Sequence, residues 1–108
     1  MKIMQGDEYA IYVNLRQDGN VINPNLVDDI EICIGDSLRK TYASENVLFD
    51  SKEQKWYFRL LQSETLNMAE GQHEVICRVK YTGIPYNDVV GVKLGNIIVM
   101  PTTSREVL

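Results

Sequence analysis

The chain has 108 residues, 44% of them apolar and 24% charged, with a formal charge of −4, the make-up of one folded domain and not of a disordered segment. No apolar run approaches the ~20 residues of a membrane-spanning helix, and lysines and arginines never cluster beyond pairs, which argues against a membrane partner and against nucleic acid held through a phosphate-neutralising stripe. The opening residues 1–8 lack the apolar core of a secretory signal, so the chain is expected to stay in a cytoplasm or to leave it by a route that needs no signal peptide.

The spacing predicts a first strand over 8–16, with Tyr9, Ile11, Val13 and Leu15 on one face. Gln17-Asp18-Gly19-Asn20 is a turn signal, Val21-Ile22 a short hairpin arm and Asn23-Pro24-Asn25 its break. A strand over 27–35 turns Ile30, Ile32 and Ile34 inward. Residues 38–42 form a short charged strand suited to a sheet edge. Val47 and Phe49 mark another strand, 50–53 a turn, and 54–61 a strong strand with Trp56, Phe58 and Leu60 inward.

Residues 63–69 read as one or two helical turns, capped by Ser63 and stopped by a left-handed Gly71. The strand over 72–82 places His73, Val75, Cys77, Val79 and Tyr81 on one face. A hairpin loop over 83–88 leads into a last strand with Val90, Val92 and Leu94 inward, a bulge at Gly95 and a continuation through Ile97-Ile98-Val99. Seven strands with turns every 8–12 residues give an all-β fold, an immunoglobulin-like antiparallel β-sandwich. The expected organisation is a single domain over 1–100 with a loose tail over 101–108.

No constellation announces a reaction. Cys33, Trp56 and Cys77 imitate the immunoglobulin Cys…Trp…Cys pattern, but Cys77 falls inward and Cys33 outward, so two free thiols are expected. His73 is the lone histidine, and its neighbour Glu74 points to the opposite face of the strand, so it cannot orient the imidazole as a base. Carboxylates are dispersed. Asp28-Asp29 with Asp36 or Asp50 could gather in a loop around calcium, although no defined calcium-loop spacing is present. No cofactor, metal or catalytic residue is assigned, and the chain is read as a non-enzyme. Tyr12 and Tyr57, with Tyr86, lie away from the core, and Tyr57 and Ile76 suggest a sheet face covered by another subunit.

The order of several short signals carries a resemblance. It comprises the opening Gln5-Gly6-Asp7, the turn Asp18-Gly19-Asn20-Val21-Ile22, the stretch Phe58-Arg59-Leu60-Leu61-Gln62-Ser63-Glu64-Thr65, then Ala69-Glu70-Gly71-Gln72-His73-Glu74-Val75, and the closing Gly91-Val92-Lys93-Leu94-Gly95-Asn96-Ile97. The chain resembles the small β-sandwich domains of tailed-phage and prophage structural modules, in particular the N-terminal domain of the baseplate upper protein. That resemblance implies a non-catalytic virion protein of tail or baseplate, found in the virion or in the bacterial cytoplasm before assembly. It implies homo-oligomers and contacts with other phage structural proteins. The residues set against such an interface are Tyr12, Tyr57, Ile76 and the tail from Arg105 to Leu108. The competing expectation is a carbohydrate-binding or other immunoglobulin-like binding module using Tyr57, Tyr86 or Trp56 as a platform.

Overall fold

A computed structural model describes residues 1–83 and 88–108, so Tyr86 and most of the loop expected over 83–88 lie outside the described residues. The fold is all-β. The seven expected strands are present as β2 (Tyr9–Val13), β5 (Val27–Ile34), β6 (Leu38–Thr41), β7 (Val47–Asp50), β8 (Lys55–Leu60), β9 (Gly71–Tyr81) and β10 (Val89–Met100). β1 (Lys2–Met4) was not expected, and the expected hairpin arm is present as the two-residue strands β3 (Arg16–Gln17) and β4 (Asn20–Val21), one residue earlier than the predicted Val21-Ile22. The arms close on a two-residue turn in which Asp18 and Gly19 both have positive φ, 52° and 80°. Aspartate followed by glycine tolerates that conformation better than almost any other pair.

Five strands form one sheet in the order β1-β10-β9-β5-β6, and β2-β8-β7 form a second. Every pairing is antiparallel except β1 with β10, which is parallel. Alternation explains the core. Ile30, Ile32 and Ile34 of β5 and Val75, Cys77 and Val79 of β9 face the same side as Trp56, Phe58 and Leu60 of β8, and all belong to one buried cluster. Trp56, fully buried, donates its indole N–H to the carbonyl of Ile22 at 2.8 Å, which satisfies the one polar atom of the largest core side chain.

The helix α1 (Gln62–Leu66) begins two residues earlier than the Ser63 cap predicts, with Leu61 in the cap position. The Glu64 carboxylate reaches back to the amide of Leu61 at 2.9 Å and satisfies a free helix-start donor. Gly71 does have positive φ, 114°, but it opens β9, and the helix ends at Leu66 with Asn67 in the cap position.

β10 carries the bulge: its register against β9 shifts between Lys93 and Gly95. One inserted residue exchanges the two faces of a strand. Before the shift Val90 and Val92 stand opposite Val79 and Cys77, and after it Ile97 and Val99 take the inward places. The expectation that Val90 and Val92 are core residues fails in one respect. They point to the inner side, but they remain 53% and 49% exposed. Among the described residues the second sheet ends at β2 and adds no further strand beyond it.

Candidate interaction surfaces

The outward tyrosines come together. Tyr12 on β2 stands opposite Tyr57 on β8, and Tyr57 stands opposite Leu48 on β7, so three exposed or half-exposed apolar side chains cross the outer face of the three-stranded sheet in one row. The two rings stack, with centroids 5.0 Å apart and planes 23° from parallel, an offset arrangement that aromatic quadrupoles favour. The Tyr12 hydroxyl donates to Asp50 Oδ2 at 3.3 Å. Loss of solvent around the ring, and then the Asp50 carboxylate, raise the pKa of Tyr12 and keep that hydroxyl a donor. Asp50 itself is held below the usual carboxylate range by the Glu53 and Lys52 amides that it caps.

Ile76 lies elsewhere. It is half-buried on the outer face of the five-stranded sheet, in register between Cys33 and Lys93. Farther along that face Glu31 accepts from Arg39 and, at 2.7 Å, from Arg78, and the two guanidinium groups lower its pKa. The five interface positions expected from the sequence therefore fall on three separate surfaces.

The third surface holds Arg105 and Leu108. Beyond Met100 the chain has no regular secondary structure, yet it is pinned at intervals. Thr102 N–H and Arg105 Nη1 donate to Gln5 Oε1 at 3.3 and 3.0 Å, and Leu108 N–H donates to Gln62 Oε1 at 2.7 Å. Gln5 in turn donates through Nε2 to the Met68 carbonyl at 2.8 Å. Next to it, Gly6 N–H donates to the fully buried Thr65 Oγ1 at 2.9 Å, and that hydroxyl donates to the Asp7 carbonyl at 2.8 Å. Gln62 N–H donates to Glu8 Oε1. The segments 5–8 and 62–68, nearly sixty residues apart, thus interlock. Lys40 of β6 closes the same corner, with Nζ bonded to both oxygens of Glu64 at 2.8 and 2.6 Å and its side chain only 10% exposed.

The groups that could carry chemistry are otherwise occupied. His73 Nε2 meets the Ala69 carbonyl at 2.7 Å; a carbonyl only accepts, so that nitrogen carries the proton. The ring fills the space over Gly35, where an added Cβ would fall 2.7 Å from Nδ1 and where φ is 56°. The pocket of about 630 Å³ beside it is open, and among the described residues none of His73's hydrogen bonds is to a carboxylate. Asp29 accepts from the Ile30 and Ala43 amides. Among the described residues no three His, Cys, Asp or Glu side chains gather as a metal site. Cys33 and Cys77 are both free, on opposite faces of neighbouring strands, and burial lifts the Cys77 thiol pKa from 9.0 to about 11. A thiol so raised is a poor nucleophile at neutral pH.

Comparison with protein-family models, with curated proteins and with solved structures found no match to this chain.

Proposed function

We propose that the chain is a non-catalytic structural protein of a tailed-phage or prophage particle, associated with tail or baseplate. In this reading it is built as an immunoglobulin-like sandwich and works by protein–protein contact with its own copies and with other virion proteins. The observation that carries the reading is the apolar row of Tyr12, Tyr57 and Leu48, which lies outside the core on a sheet face. Rigid aromatic side chains on a flat face suit an interface, because they bury much area at little entropic cost. Two further points support it. The seven main strands fall into two sets, β10-β9-β5-β6 and β2-β8-β7, which matches the strand number of an immunoglobulin-like domain though not its order, in which the third strand and not the second pairs with the sixth. The Gln5-Gly6-Asp7 and Glu64-Thr65 signals that carry the phage resemblance meet as a hydrogen-bonded lock, a framework role with no chemistry in it. Sedimentation velocity over rising concentration should show multimers that Tyr12→Ser with Tyr57→Ser weakens. A monomer at every concentration, alone and with candidate virion partners, sinks the proposal.

A carbohydrate-binding role is the second reading, favoured only by the same exposed tyrosines. Trp56 is buried beneath the core and offers no platform. A glycan array without a bound sugar dismisses it.

A further inference from the structure

Strand β10 is paired along one half of its outer edge and bare along the other. Ile98, Val99 and Met100 pair with β1, whereas among the described residues no strand lies beside 89–95. Tyr81 N–H donates to the Asp88 carbonyl, so in this antiparallel ladder the even-numbered residues turn their backbone groups toward β9. Val89, Gly91 and Lys93 then turn theirs outward. The stretch 89–95 contains a single charge, Lys93, no acidic residue and no proline, and Val89, Val90 and Val92 are all exposed. The opposite margin of the same sheet is β6, which carries Arg39 and Lys40. Charged margins discourage pairing, and an uncharged apolar one invites an added strand.

We infer that this half of β10 is the contact surface for a second copy of the chain, the two strands pairing antiparallel about a two-fold axis at Gly91. The inference rests on the assembly reading above and gives it a surface and a partner. Self-complementarity selects the second copy. With the axis at Gly91, the outward backbone groups of 89, 91 and 93 meet those of 93, 91 and 89, so the hydrogen-bonding parity matches. Val90 comes to face Val92 of the other copy, and Lys93 faces Val89, so the two lysines never oppose each other and the −4 charge of each chain stays off the contact. On the inner side the valine pairs close over an apolar groove of about 370 Å³ lined by Leu15, Ile22, Val79 and Leu94. A strand pair this short buries less than the roughly 1,600 Å² of a standard stable interface, so the dimer depends on concentration.

Sedimentation equilibrium of the full chain, with amide hydrogen exchange at low and high concentration, tests this. The native chain should dimerise as concentration rises, with the amides of Val89, Gly91 and Lys93 gaining protection together. Val92→Lys puts a charge against Val90 of the other copy, and Gly91→Pro removes an outward N–H that no strand of the same chain uses. Each should weaken dimerisation about tenfold or more with unchanged thermal unfolding of the monomer; if Gly91→Pro misfolds, Val92→Lys alone decides. A native chain that stays monomeric with those three amides exchanging freely overturns the inference. So does a multimer that survives both variants and is lost in Tyr12→Ser, which leaves the assembly reading intact and moves its surface to the tyrosine row.

Discussion

The two halves of β10 make the same attempt with different results. In residues 97–100 the inward side chains Ile97 and Val99 are 3% and 2% exposed and the outer edge pairs with β1. In residues 89–92 the inward side chains Val90 and Val92 are equally apolar, but half their surface stays in water and, among the described residues, the edge is bare. Alternation decides which way a side chain points. Burial needs in addition neighbours that reach the same place, and Val90 and Val92 lack enough of them. The closed half also lies near the interlocked corner of Gln5, Thr65 and Glu64, where distant segments satisfy one another's polar groups.

Three measurements break or sharpen that contrast. The largest effect is expected from Ile97→Ala, which should lower the unfolding free energy by about 2–5 kcal/mol. Val92→Ala, read in dilute solution, should cost less than about 0.5 kcal/mol. Denaturant unfolding that gave equal losses would abolish the distinction between the halves. Next comes the corner. Glu64→Gln leaves the enclosed Lys40 ammonium without its carboxylate and should cost about 2 kcal/mol, against less than about 0.5 kcal/mol for Arg59→Gln, whose contact with Glu8 is 3.7 Å and half-exposed. Indistinguishable losses would reduce the lock to an ordinary surface pair.

The remaining effect appears only at high pH and concerns Cys77, in the buried cluster. Its folded pKa, about 11, lies above the 9.0 of the open chain, so the folded state holds the proton longer. The associated stability is complete below about pH 9 and is lost as pH rises through about 11. The native chain should therefore lose more stability than Cys77→Val between about pH 8 and pH 11, as thermal unfolding would record. Parallel decline of the two would show that the thiol ionises as if exposed.

Much of the fold is legible in residue order because strands write period two into the chain. The seven main strands, the Asp18-Gly19 hairpin and the Gly95 bulge all carry local signals. β1 carries none: three residues, Lys2-Ile3-Met4, are too few for a period, and their partners lie nearly a hundred positions away. The Ser63 cap misleads because a carboxylate one residue later in the chain reaches Leu61 first. Of the interaction surface, the outward stance of Tyr12 and Tyr57 follows from alternation, but their stacking on each other depends on strand register. Leu48 completes the row without any signal, since a single outward leucine is commonplace. The contact of Gly6 with Thr65 is equally invisible, being made across 59 positions.

The parallel run of β1 beside the end of β10 has a mechanical consequence. The backbone enters that pair at Met1 and leaves it past Met100, at opposite ends of the short ladder formed by Met1, Ile98, Met100 and Gln5. A pull on the two chain ends therefore slides one strand along the other and strains these bonds at once, instead of peeling them one by one. A tile held by its ends inside a larger array would resist tension in that direction more than in any direction that unzips a sheet.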